Sequence, residues 1–318
     1  MKILLLLITF SFSTICFSGQ LIRIDNCANQ TVCDAILNPI LNTLPPTDSG
    51  TFAAEMANAN VISQKGYVAD YTDNMKVFST GAGFGIGMSL GSGQSSSNTN
   101  ALKLPGVSIS TGLSFGLKNR FLPKILLPIE NIYFHVFSHK IKNSKYNAET
   151  TSFGTHLQFK LIDMNPNSYL FSFGNVMLTT GLTYNTLNFD YTQHFSQSSG
   201  GFTLDGDFTI GSKSSVFSIP IELSSNIRVL YLLNLYAGLA ADLNFGSAEP
   251  ISSNNATVTG GLGTPVLDLG SKTSPDFIKF RQFIGFQLNF AMLKFFGQVN
   301  TSNSGKLLGI ATGIKIIL

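Results

Sequence analysis

Tryptophan is absent from this 318-residue chain, and charge is scarce, with only 12% of residues Asp, Glu, Lys or Arg. Average globular chains carry about 25% charged residues, so this composition is a poor fit to a soluble enzyme surface. The formal net charge is only +3, its basic residues are scattered, and no Lys/Arg block is present, which argues against a nucleic-acid interface. Beyond the N-terminus no apolar run reaches the roughly 20 residues that a membrane helix needs. What the chain does have is 44% apolar residues and 30 glycines, a combination that suits a barrel whose strands each need a single apolar face.

The N-terminus reads as a secretory leader. Lys2 is a minimal positive region, residues 3–10 are apolar, and Cys16 and Ser18 are small residues at the −3 and −1 positions of a cut after Ser18. Lipidation of Cys16 is the alternative, which Ser13, Thr14 and Ile15 fit poorly. The mature chain keeps Cys27 and Cys33. Export carries them to an oxidising compartment, where a small disulfide loop is expected, free thiols being the alternative. No histidine lies nearby to complete a zinc shell.

Residues 19–74 form a partly helical segment, either below the barrel or plugging its lumen. Helical patterns cover 31–44 and 51–63, broken by Pro45 and Pro46, and Ser49 is a candidate cap for the second. From residue 75 the period changes to two. Phe78, Ala82, Phe84, Ile86 and Met88 alternate with Ser79, Gly81, Gly83, Gly85 and Gly87; similar alternation covers 107–117, 153–161, 278–290 and 308–318, and is longest over 227–245. Soluble sandwich strands run ~5–6 residues. These are longer, keep Lys and Arg off the apolar face, and put Gly and Ser opposite it, as a transmembrane barrel requires.

The expected fold is therefore all-β, an antiparallel transmembrane β-barrel over 75–318 with about ten strands: 75–90, 106–118, 131–142, 150–163, 172–191, 214–224, 227–246, 276–290, 292–301 and 306–318. The long polar connections 91–105, 192–213 and 247–275, with 143–149, fall outside the membrane. The connections 164–171, 225–226 and 291 are short periplasmic turns, the asymmetry expected of such barrels. Residues 119–130 make a long periplasmic turn and 302–305 a short outer one. Residues 202–211 also alternate, which leaves a hairpin arm above the membrane or a twelve-stranded barrel as alternatives. Pro220 requires a bulge or a break in pairing.

The C-terminal run Gly313-Ile314-Lys315-Ile316-Ile317-Leu318 resembles the terminal signal of outer-membrane proteins, with Leu318 where an aromatic is usual. Residues 52–88, through Ala57-Asn58-Ala59, Gly66, Asp70-Tyr71, Asn74 and the Gly-rich strand, are similar to spirochaetal outer-membrane proteins such as leptospiral surface adhesins. That resemblance implies surface exposure and binding to host extracellular-matrix or plasma proteins, besides the membrane lipid around the barrel.

Parity points His135, His139, His156, Arg228, Asp242, Lys279 and Arg281 into the lumen. No Ser or Asp constellation accompanies the histidines, so they read as a lumen hydrogen-bond network, and neither catalysis nor a cofactor is expected. Asp205 and Asp207 read as solvated loop residues. The glycines of 81–87 alternate inside one strand, whereas a nucleotide loop needs a strand, a turn and then a helix; they read as a crowded inner wall. A surface binding or structural barrel is the first functional expectation. A channel or small-solute transporter plugged by 19–74 is the second, and a barrel-wall hydrolase the third.

Overall fold

The computed structural model describes residues 22–43, 49–72, 75–90, 106–119, 129–162, 171–230, 232–260, 263–267 and 272–318, with backbone alone for Ile22, residues 40–43 and Ser49. The leader 1–18, the Pro45-Pro46 break, the connection 91–105, and most of 119–130 and 164–171 lie outside the described residues. In chain order the elements are β1 (Ile22–Asp25), α1 (Gln30–Thr43), α2 (Ser49–Ser63), β2 (Phe78–Ser89), β3 (Gly106–Lys118), β4 (Ile129–Lys142), β5 (Tyr146–Ile162), β6 (Phe171–Phe173), β7 (Val176–Ser199), β8 (Phe202–Val229), β9 (Leu233–Asn254), β10 (Thr257–Val258), β11 (Thr264–Leu267), β12 (Ile278–Phe290), β13 (Leu293–Ser302) and β14 (Leu307–Ile317).

Ten of these strands close a ring. Every neighbour pair is antiparallel, in the order β2, β3, β4, β5, β7, β8, β9, β12, β13, β14 and back to β2, so the first and last strands of the ring share a full ladder. Closure removes the two free edges of an open sheet, and the shortest ladder of the ring, β3 with β4, covers Gly112–Lys118. The side chains sort inside out relative to a soluble protein. Phe84, Leu113, Val136, Leu182, Leu239, Phe280 and Ile284 are exposed on the outside. Ser110, Asn131, Gln158, Thr179, Ser218, Asn234 and Asn300 are buried inside. Polar groups are buried and large apolar ones bare because the outer solvent of such a barrel is lipid.

One end of the ring carries short turns. β8 ends at Val229, opposite Leu233 at the start of β9, with Leu230 at φ 52°, and β12 turns into β13 at Ala291, also at φ 52°. The expected turn at 225–226 is corrected: β8 runs through it, pairing Ser225 with Ala237 and Asn226 with Tyr236. Val229 and Leu233 are cross-strand partners of the same odd parity, which is why the alternation over 227–245 runs through a strand end unmarked. β6 adds a short pairing to the foot of β8, Phe171 opposite Val229.

At the other end the strands outgrow the ring. β5 stops pairing with β7 at Tyr191, and β12 stops pairing with β9 at Leu243, yet β7, β8 and β9 continue together. Residues 192–213, expected as an outer connection with a hairpin arm as one alternative, are the paired arms of the β7–β8 hairpin, and 247–254, the start of the expected loop 247–275, is strand. At about 3.3 Å per residue this arm projects on the order of 30 Å. Pro220 lies in β8: the ladder to β9 is continuous through Asp242, but the ladder to β7 skips from Ser218 to Ile221. A residue without an N–H is accommodated by that local break.

Candidate functional site: an occupied lumen beneath an outer arm

The ring is filled by the chain's own residues 49–72. Apolar and polar residues of α2 alternate around the whole helix, and both kinds are buried: Ala53, Met56, Ala57, Val61 and Ile62 beside Glu55, Asn58, Asn60 and Ser63. A helix with no solvent face has no amphipathic stripe, because wall surrounds it. It is seated against glycine. A Cβ on Gly106, Gly87 or Gly85 would overlap the backbone of Glu55, the carbonyl oxygen of Ala59 or that of Ser63, respectively. Those three residues are four apart, one face of a helix. The glycines of β2 and the start of β3 thus let helix backbone lie directly on strand backbone.

Below α2 the chain is irregular, and wall side chains satisfy its peptide groups. Ser110 Oγ donates to Ser63 O at 2.8 Å, Lys315 Nζ to Ala69 O at 2.6 Å, Gln158 Nε2 to Asp70 O at 3.0 Å and Asn226 Nδ2 to Tyr71 O at 2.9 Å. The Tyr67 hydroxyl meets Ser110 Oγ at 2.7 Å, and its ring stands edge-on to Phe137. Tyr71 stacks with Tyr236 at 5.2 Å and donates its hydroxyl to Glu222 at 2.7 Å. An aromatic cluster of Tyr67, Tyr71, Tyr133, Phe137, Tyr236, Phe283 and Phe296 therefore occupies the lower lumen. The polar, small-residue interior read from the sequence omits it.

A charge cluster joins lumen chain to wall. Arg281 Nε donates to Asp242 Oδ2 at 2.7 Å, Nη1 to Asn300 at 2.8 Å and Nη2 to Glu222. Lys65 of the lumen chain lies 3.1 Å from Asp242. All four ionisable groups are buried. Buried pairs of this kind are worth having only when fully matched, because desolvation of each ion costs several kcal/mol.

The sequence-derived candidates fall into separate places. Asp242 and Arg281 belong to the charge cluster. His135 and His156 face each other with ring centres 5.3 Å apart; His135 also stacks on Phe137 and approaches Ser152 Oγ at 3.2 Å. With Lys65, Tyr71 and Glu222 they line a small cavity beside the lumen chain. His139 stands apart from them, 3.4 Å from the Thr111 hydroxyl. Arg228 pairs with Asn234 at the foot of β8 and β9, and Lys279 pairs with Asp276 at the outer end of β12. Sequence reading missed Glu222 and Lys65, although Glu222 lies on the inward parity of β8.

The segment before α2 sits at the arm. α1 begins after Asn29, whose side chain accepts from Val32 N at 3.4 Å, a cap position. Cys27 and Cys33 form a disulfide. Cys33, Ile36 and Leu37 pack on Phe195, Leu204 and Phe208 of the arm, and β1 pairs with β11, Ile24 opposite Pro265. On the arm's surface His194 faces Asp207 at 3.0 Å and Asp205 at 3.5 Å, all three exposed. Lower on the arm, opposite Lys213, the hydrogen bond from Lys272 at 2.7 Å holds the Glu249 carboxyl below its ordinary range.

Curated proteins contain no match to the chain. Among solved structures it is similar to the transport unit of the autotransporter AIDA-I from Escherichia coli, at 9% identity over 85% of this chain and 99% of that one, with a TM-score of 0.38. It is also similar to the translocator domain of the autotransporter NalP from Neisseria meningitidis (10% identity, 77% and 90% covered, TM-score 0.35) and to the outer membrane protein Omp33 of Acinetobacter baumannii (8%, 77% and 100%, TM-score 0.30). The protein is an outer-membrane β-barrel. Residues 22–316 match the Lsa36-like family, and the chain belongs to that family of leptospiral surface adhesins.

Proposed function

We propose that this is a closed barrel that carries a binding surface above the outer membrane, with the arm of β7, β8 and β9 and the disulfide-bonded segment docked on it as the part that meets a partner. Support comes first from the filled lumen: Tyr71, Lys65 and the backbone carbonyls of 69–71 are all engaged by wall residues, an arrangement that favours a scaffold over a conduit. Family membership supports adhesion, and extracellular-matrix or plasma proteins of a host are the partner class. His135 and His156 lie under the lumen chain, away from lipid and outer solvent, which favours a packing role over hydrolysis.

The experiment is to replace residues 193–208 by a short turn, joining β7 to β8 at the level of the ring. Adhesion of cells to immobilised matrix and plasma proteins should fall to background while heat-modifiable gel migration persists. Undiminished adhesion would remove the arm from the function. In planar bilayers the native chain should show no steady conductance; clear single channels would restore the transporter reading with 49–72 as its plug.

A further inference from the structure

The order of contacts along 22–78 describes a path. α1 packs on the arm, beyond the outer end of the ring. Glu55 meets Ser89 at the outer end of β2, Tyr67 meets Ser110 in the middle of β3, and Thr72 accepts from Gln287 near the foot of β12. Lys76 and Val77 then donate to the carbonyl oxygen of Leu318, at the end where β8 gives way to β9 and β12 turns at Ala291. Each step lies lower in the ring than the one before. The ten strands close a ring, and between β3 and β4, whose ladder is confined to Gly112–Lys118, it is the lower part of the wall that is paired. Among the described residues, 50–72 run from the outer end of the ring toward its foot through the lumen.

We infer that this barrel displays its own N-terminal segment: the chain before α2 stands on the outer face of the membrane, and 49–72 is the lock that keeps it there. The short-turn end is periplasmic in barrels of this kind, which fixes the direction of passage. The lock is general in what it reads. Ser110, Gln158, Asn226 and Lys315, from β3, β5, β8 and β14, take backbone carbonyls of 63–71, so they hold an irregular chain whose peptide groups would otherwise be buried without partners. The glycines of β2 make room for the helix above it. Residues 22–43 are thereby presented beside the arm, whether or not the arm itself binds anything.

Single-cysteine substitutions in the full-length chain test this with a membrane-impermeant thiol reagent on intact cells. Asn38→Cys lies on the exposed face of α1, Ser196→Cys on the arm, and Met292→Cys at the short-turn end. The first two should label directly and Met292→Cys only after the outer membrane is permeabilised. Labelling of Asn38→Cys only after permeabilisation, with Ser196→Cys labelled directly, would overturn the display. The buried Ala57→Cys reads the lock: it should stay unreactive until the barrel is unfolded, and ready reaction in the folded protein would overturn that half of the inference.

Discussion

The carbonyl oxygen of Ser63 occupies the place where a Cβ on Gly85 would sit. A helix and a strand touch there backbone to backbone. Replacing Gly85 or Gly87 by Val should therefore unseat α2 rather than only crowd it. Overpacking costs about 1–3 kcal/mol where side chains can yield, and here the obstacle is main chain. The expected outcome is a heat-modifiable barrel whose residues 49–72 have become sensitive to protease; a variant as resistant as the native chain would contradict this seating.

Arg281 is the sole described side chain that joins Glu222 to Asp242 by hydrogen bonds. Arg281→Met should cost about 3–5 kcal/mol, the usual consequence of leaving buried charge uncompensated. Adding Glu222→Gln, which leaves the Lys65–Asp242 pair matched, should recover much of that loss. Urea unfolding in lipid vesicles measures both.

Leu239 is exposed at mid-height on the outer wall. Leu239→Arg should destabilise the inserted barrel by about 2–4 kcal/mol, the range for a cation at the bilayer midplane. The same substitution at exposed Ser196 on the arm should be close to neutral. Equal effects at the two sites would contradict the assignment of the lipid belt.

Cys27 and Cys33 close a short loop on the segment that packs on the arm. Replacing both by Ser should cost about 2 kcal/mol on a chain-entropy estimate for so short a loop. The cost should fall on that segment alone: proteolysis of 22–43 should quicken while the thermal transition of the ring stays in place.

Period-two alternation made the ring legible, because each strand faces lipid on one side and the parity of Leu235, Leu239 and Ile284 can be read without neighbours. Alternation is blind to position along a strand, however. Val229 and Leu233 face each other with the same parity, so the end of β8 left no mark, and the alternation of Phe202 to Gly211 left a hairpin arm and two further ring strands equally open. The charged candidates were placed on the inward parity, but their partners lie far along the chain: Arg281 meets Glu222, and Lys65 meets Asp242. The course of 49–72 is encoded in matches such as Gly87 against Ala59, which show only when two distant segments are laid together. The even spread of apolar residues around α2 was the one local sign, since a helix without a stripe is enclosed on every side.

The ladder between β2 and β14 has a mechanical consequence. Once those strands zip, the ring is a hoop threaded on its own chain. The rod through it is tethered at the bottom by Phe78 and stoppered at the top by a folded, disulfide-bonded knob gripping the arm. Such a rod is captive. It can leave by unfolding the knob or by opening the hoop, so threading must be complete before the later of two events, the folding of the knob and the pairing of β2 with β14, and pulling on the N-terminus should load the knob and the rod before it loads the wall.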